Sequence, residues 1–103
     1  MPLSQEKAFD SEALELAALA KALGHPARVA MVRLLSARTS CTVGEFVQEL
    51  PLSQSTVSQH LKELSHAGLV QGEAQGSRIH YNLNPERWAQ ARLLIGALLA
   101  AFP

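Results

Sequence analysis

The turn around Pro51 constrains the fold of this chain more than any other feature of its sequence. Before it, Thr42 and Glu45 have the spacing of a capping box, in which a hydroxyl and a carboxylate bond the free N–H groups at a helix start. After it, Ser53 is a favourable N-cap residue, so a second helix starts almost at once. The sequence therefore predicts a short helix, a tight turn and a longer helix.

The longer helix, over about residues 54–67, is amphipathic and is followed by Gly68 in the position that ends helices. Val57, Leu61 and Leu64 mark its buried face. The other side carries Ser55, Ser58, Gln59, Lys62 and His66. A short helix, a tight turn and a longer helix with a small polar outer face have the spacing of a helix-turn-helix, here at about residues 43–67.

Hydrophobic periodicity predicts three further helices. One spans about residues 11–23, one begins at Pro26, where the missing N–H is tolerated, and one spans about residues 86–102. A chain of 103 residues buries one core and not a second. The prediction is a single α+β domain over residues 1–103, mostly helical, with about five helices.

Residues 78–83 alternate strictly between polar and apolar side chains, which predicts a β-strand. Its inward side chains are expected to be Ile79, Tyr81 and Leu83. The partner strand is predicted at about residues 69–74, so a two-stranded hairpin spans about residues 69–83. An isolated hairpin is marginally stable, and its inward face is therefore expected to pack on the helices.

The terminal helix is apolar on more sides than a small domain can cover. One stripe consists of Trp88, Ala91, Ile95, Leu98, Leu99 and Phe102. Leu93, Leu94 and Ala97 cover other sides of the same helix. We expect the stripe to form a two-fold seam with a second copy of the chain, with Leu16 of the first helix contributing. The alternative is that the helix fills the core of its own domain.

Charge and cysteine content exclude several classes of protein. Nine basic and nine acidic residues balance, which excludes a histone-like polycation, although residues 21–38 carry four bases and no acid. The single cysteine, Cys41, cannot form an internal disulfide. No secretory signal is recognisable at the N-terminus, and no apolar run is long enough to cross a bilayer. These features predict a cytoplasmic domain with no membrane partner.

Four segments together resemble the winged helix-turn-helix repressors of the ArsR/SmtB family. They are Leu-Gly-His-Pro-Ala-Arg at 23–28, the polar helix and its entry at 52–64, Ala-Gly-Leu-Val at 67–70, and Gly-Ser-Arg at 76–78 with Tyr81. The resemblance implies that the hairpin is a wing and that the helices at about 11–23 and 86–102 form the dimer seam. It also implies a sequence-specific transcriptional repressor that binds an inverted-repeat operator in double-stranded DNA as a homodimer.

The chain lacks the residues with which members of that family bind metal. A Cys-x-Cys box is replaced by Thr42-Val43-Gly44, with Cys41 one place out of register. The terminal helix site needs Asp, Glu and His, and none occurs from Trp88 onward. A thiophilic metal requires two or three thiolates, and the chain has one. We therefore predict no cofactor and no metal response at these sites; the sequence identifies no effector.

The resemblance also assigns the DNA-binding residues to the longer helix and the wing. They are Gln54, Ser55, Thr56, Ser58, Gln59, Lys62 and Arg78. Glutamine bonds adenine edges through both its amide atoms, whereas Lys62 suits a phosphate. Arg78 at the wing tip suits a phosphate or a narrow minor groove. The alternative is a solvated helix face and an ordinary exposed arginine.

Two kinds of side chain outside this set can take part in chemistry. Cys41 is expected to be a small buried apolar residue; the alternative is a redox-responsive repressor, for which the partner subunit's Cys41 would be the only resolving thiol. His60, at the edge of a buried face, is expected to pack and accept or donate a hydrogen bond, and His25 is expected at a helix entry. His66 and His80 show no metal-ligand spacing.

Two other functional classes fit the sequence less well. An enzyme is not expected, because the chain has no nucleophile elbow, no paired carboxylates in an apolar setting and no phosphate-binding glycine loop. The second class is a winged-helix module that contacts only proteins and binds no DNA. The Gln, Ser and Lys surface has no aromatic anchor of the kind that protein interfaces use.

Overall fold

The computed structural model describes residues 8–103, so the first seven residues of the predicted domain lie outside the described part. The elements are α1 (Ser11–Leu23), α2 (Pro26–Arg38), α3 (Val43–Glu49), α4 (Gln54–His66), β1 (Val70–Gln75), β2 (Arg78–Leu83) and α5 (Pro85–Ala100). The predicted α+β, mostly helical class is confirmed. Every predicted helix forms, with ends within two residues of the expected ones.

Side-chain caps account for where the helices begin. The Asp10 carboxylate accepts a hydrogen bond from the Ala13 N–H at 2.7 Å and starts α1. At α3, both halves of the capping box form between Thr42 and Glu45. These bonds satisfy backbone donors that have no partner within the helix, so the chain direction changes at fixed residues.

A glycine turns the chain from α4 into the hairpin. Gly68 has a φ of +78°, a left-handed conformation that side-chain-bearing residues rarely adopt. A Cβ there would also approach the Arg87 side chain at 3.3 Å. The left-handed conformation of Gly68 reverses the chain at the end of α4, and β1 starts two residues later.

The hairpin is joined to the helices at its base and extends beyond them at its tip. Val70 is buried, and Tyr81 packs against the core. Ile79 is 49% exposed, so this residue of the predicted inward face does not pack into the core. It lies toward the tip of the hairpin, close to Gly72 on the opposite strand, and lines a cleft between the hairpin and the helices.

A third backbone segment pairs with the hairpin. Cys41, just before α3, exchanges two backbone hydrogen bonds with Tyr81 of β2, at 2.9 and 2.8 Å. The sequence pattern gave no sign of this bridge, because a single paired residue has no periodicity. The bridge fixes the wing directly against the start of the helix-turn-helix.

The core lies where α1, α2, α3 and α4 meet. Its largest fully buried side chains are Phe46, Leu19, Met31, Leu35, Leu64 and Leu69. No helix within residues 8–103 combines the length and the apolar character that crossing a membrane requires.

Candidate nucleic-acid interface

The outer face of α4 (Gln54, Ser55, Ser58, Gln59 and Lys62) is exposed along its whole length. Thr56 differs from these predicted contacts, because it is half-buried. The Ser53 hydroxyl donates to the Thr56 Oγ1 at 2.8 Å and accepts from the Thr56 N–H at 3.2 Å. Thr56 therefore serves the helix cap, and the outer face consists of the other five side chains.

The buried face of α4 holds this outer face in a fixed orientation. Val57, Leu61 and Leu64 are at most 2% exposed, as the periodicity predicts. His60 joins them at 7% exposed, and the Arg28 Nε donates to its Nδ1 at 3.0 Å. The predicted packing role of His60 is confirmed. Because one side of α4 is closely packed, the helix cannot turn about its own axis, and its polar side chains stay on the outer side.

A cleft of about 580 Å³ separates the start of α4 from the wing. Gln54 and Arg78 line the same cleft, although one belongs to the helix and the other to the hairpin. Neither of the ion pairs in the described part of the chain involves Arg78, and its side chain is exposed. Helix and wing thus place a glutamine and a guanidinium beside one groove-shaped surface.

Gln48 is a lining residue of this cleft that sequence reasoning missed. It is exposed on α3 and lies with Gln54 around the opening. The periodicity used to predict α3 concerns only its apolar side chains. An exposed polar residue two positions from a core phenylalanine was the signal available.

Cys41 is completely buried, as expected for a small apolar residue. Burial raises the pKa of its thiol, and the Glu45 carboxylate acts in the same direction. The thiolate is the reactive form of cysteine, so this environment lowers its reactivity. The chain contains no second cysteine with which it could form a disulfide.

Among the other candidate ligands, His25 has a structural role. His25 caps α2 by accepting the Ala27 N–H on its Nδ1 at 3.0 Å, which confirms its predicted place at a helix entry. Within residues 8–103, no three His, Cys, Asp or Glu side chains are grouped as a metal ion would require.

Four of the predicted seam residues line an apolar groove of about 360 Å³ on α5, together with Arg92 and Gly96: Trp88, Ala91, Ile95 and Leu99. Trp88 and Ile95 are half-buried there, and the Trp88 indole donates to the Leu69 carbonyl at 3.0 Å. Ala91 is buried within the protomer and forms the floor of the groove. Leu98, Leu99 and Phe102 are 58%, 72% and 86% exposed. Leu16 of α1 is half-buried.

Arg87 connects this end of the molecule to α4. Its Nε donates to the Ala67 carbonyl at the end of α4 at 2.9 Å, and its Nη1 pairs with Glu15 of α1. One guanidinium therefore joins α1, α4 and α5. The position of the outer face is tied to the helices that carry the apolar groove.

Comparison with known proteins gives a consistent set of relatives. Residues 25–71 match the model of the arsR family of bacterial regulatory proteins. A biofilm growth-associated repressor of Agrobacterium fabrum is 38% identical over 95 residues, covering 92% of this chain and 78% of that protein.

Two solved structures extend the likeness to the fold. The transcriptional repressor BigR from Xylella fastidiosa superposes with a TM-score of 0.67 at 33% identity, over 100% of this chain and 97% of that one. The transcriptional regulator HlyU from Vibrio vulnificus gives 0.65 at 30% identity, over 94% and 98%. With nearly the whole of both chains aligned at these identities, the protein belongs to the arsR family of bacterial transcriptional regulators.

Proposed function

We propose that the protein is a homodimeric repressor that binds an inverted-repeat operator. The observation that carries the proposal is the continuity of the outer face of α4 with the cleft that Arg78 lines. A helix of this kind enters the major groove, while the wing follows the neighbouring backbone or minor groove. The outer face of α4 carries no carboxylate, and its polar side chains suit base edges and phosphates. Glu45, which caps α3, is the one acid among the residues that line the cleft.

Different side chains of this surface have different roles in the proposal. Gln59 lies in the middle of the outer face, where an amide reaches the N6 and N7 edge of adenine. Lys62, one turn further, and Arg78 on the wing neutralise phosphates. The glutamine selects sequence, and the two cations supply affinity and register.

The groove on α5 supports the homodimer. Its lining is almost entirely apolar, and the exposed Leu98, Leu99 and Phe102 continue it toward the C-terminal end of α5. A second copy related by a two-fold axis would cover these side chains with the same side chains of its own. Two α4 helices would then address successive major grooves about 34 Å apart.

Selection of bound DNA from a random pool tests the proposal directly. We expect enrichment of an inverted repeat whose half-site centres lie about 10–10.5 base pairs apart. If such a site overlaps a promoter, repression is measured as silencing of a reporter gene by the protein. Enrichment of a single half-site, or of no sequence at all, would contradict the proposal.

The roles of Gln59 and Lys62 are separable by mutation. We expect Gln59→Ala to reduce discrimination at one base position per half-site by about 1–3 kcal/mol. Lys62→Ala should weaken binding to all sequences alike and flatten the salt dependence by about one unit of slope. Titrations of the selected operator and single-base variants at several salt concentrations measure both effects.

Lys21→Ala is the matched control, since it removes the same charge from an exposed position on α1. It should leave the salt slope close to that of the unsubstituted protein. If Gln59→Ala leaves base preference intact, a different side of α4 faces the DNA.

We further propose that operator binding does not respond to metal. One thiolate per chain and a terminal helix without carboxylate or imidazole from Trp88 onward provide too few ligands for a tetrahedral site. Operator affinity should stay constant as zinc, cadmium or arsenite is raised through the submicromolar range. A stoichiometric loss of affinity that survives Cys41→Ser would point to a histidine site, with His66 and His80 as the first candidates.

A further inference from the structure

Two histidines and an arginine form a cluster where α1, α2 and α4 meet. The Arg28 Nε donates to the His60 Nδ1 at 3.0 Å, and its Nη1 reaches the Lys21 and Ala22 carbonyls at the end of α1, each at 3.3 Å. The rings of His25 and His60 lie 4.5 Å apart between centroids. This cluster contacts α4 on the side opposite its outer face.

The hydrogen bonds fix the protonation of both rings. A guanidinium only donates, so the His60 Nδ1 must present a lone pair and its proton must sit on Nε2. The His25 Nδ1 accepts the Ala27 N–H, so it too must be free of a proton. A proton added at Nδ1 of either ring removes a hydrogen bond that holds the cluster together.

We propose that the Arg28–His60 hydrogen bond positions α4 for operator binding, and that protonation of His60 in mild acid breaks the bond and releases the operator. The release step rests on the function proposed above. His60 acts here as a positioning residue, because its side chain is buried on the side of α4 opposite the outer face. Arg28 holds the end of α1 and α4 with one side chain.

The charges around His60 favour its neutral form. Arg28 faces His60 from α2, and His25 faces it from the N-cap of α2. The end of α1 contributes backbone carbonyls that accept from the Arg28 side chain. Glu63 is the nearby acid on α4 itself. Burial lowers the pKa of His60, His25 and Arg28 act in the same direction, and Glu63 opposes them. Two further positive charges beside Arg28 would repel it and each other.

The sign of the pH effect follows from this direction. Because the pKa of His60 is lower in the folded protein than its usual value of about 6.5, its contribution to stability is complete above that pH. The contribution is lost as pH falls below about 6.5 and through the folded value. Acidification otherwise makes a protein more positive and more attractive to phosphates, so ordinary electrostatics predicts the opposite trend.

His60→Asn tests the proposal, because the Oδ1 of asparagine is bonded to Cγ, as the Nδ1 of histidine is, and can take its place as an acceptor. The variant keeps an acceptor for Arg28 but cannot titrate. Operator affinity is measured at about pH 7.5 and about pH 5.5 at constant ionic strength, with the DNA obtained from the random-pool selection. We expect the unsubstituted protein to lose about tenfold in affinity, a change that one linked proton can produce. His60→Asn should hold its affinity or gain.

His60→Phe separates positioning from filling space. It preserves an aromatic ring but leaves the guanidinium without its acceptor, so operator affinity should fall at both pH values, and His60→Asn should restore it at neutral pH. Equal affinity of His60→Phe and the unsubstituted protein, or equal acid loss in His60→Asn, would overturn the proposal.

Nitrogen-15 spectra of the imidazoles without DNA distinguish the failure of this proposal from that of the proposed function. We expect the Nε2–H form of His60 at neutral pH and a pKa below the ordinary histidine value. An Nδ1–H form, or a raised pKa, would refute the Arg28–His60 bond. Absence of operator binding at every pH, with the expected spectra, would instead refute the proposed function and the release step with it.

Discussion

Replacing Leu99 by Asp is expected to make the protein monomeric and to weaken operator binding by about 10²–10⁴-fold. Leu99 lines the apolar groove of α5 and is 72% exposed in the protomer, so the substitution leaves the protomer's own core intact. In a two-fold seam the same carboxylate would be buried in a groove whose lining is apolar except for Arg92, which is unfavourable. Loss of the second half-site removes the advantage of binding two sites at once.

Leu93→Asp is a closely matched control. Leu93 lies on the same helix and is 74% exposed, and six residues of helix place it about 120° around the axis from Leu99. It should remain dimeric and bind the operator normally. Sedimentation at micromolar concentration and operator titration measure both variants. A monomeric unsubstituted protein, or identical behaviour of the two variants, would show that the groove is not the seam.

Phe46→Ala is expected to lower the free energy of unfolding by about 3–5 kcal/mol. Phe46 has no solvent exposure and is the largest fully buried side chain in the core. It lies on α3, which packs against α4, so the cavity would open directly beneath the helix-turn-helix. Small domains have a total stability of about 5–15 kcal/mol, and much of this margin would be lost.

Urea unfolding at a fixed protein concentration measures this change, because the stability of a dimer depends on concentration. Val47→Ala is the neighbouring control: Val47 is 37% exposed on the same helix and should change stability by less than about 1.5 kcal/mol. A loss below about 1 kcal/mol for Phe46→Ala would mean that the core collapses around the smaller side chain.

Local chemistry explains which features the sequence could predict. The Thr42–Glu45 capping box and the left-handed Gly68 depend on residues within one turn, so the ends of α3 and α4 were predictable. The exposed outer face of α4 followed from helical periodicity. Family membership also confirms that the chain is a regulator and not an enzyme. The assignment of individual DNA contacts stays a prediction.

Packing between distant elements explains the rest. The burial of His60 was predictable from its place beside Leu61, but its partner Arg28 lies 32 residues away, and no spacing rule joins them. Strict alternation placed Ile79 inward, yet alternation does not report where a hairpin passes beyond the body it packs on. The cleft between Gln54 and Arg78 likewise exists only after the wing has folded back.

The backbone bridge between Cys41 and Tyr81 bears on how the domain opens and closes. It joins the chain just before α3 to the second strand of the wing, and the entire helix-turn-helix lies in the loop between them. Closing such a loop costs chain entropy. This cost is offset only by the contacts that the enclosed helices and the hairpin make when they are in place together. We therefore expect the base of the wing and the helix-turn-helix to open as one cooperative unit. A fluctuation that frees the wing from the body must also loosen the start of α3, so we expect the wing and the helix-turn-helix to lose their order in a single event.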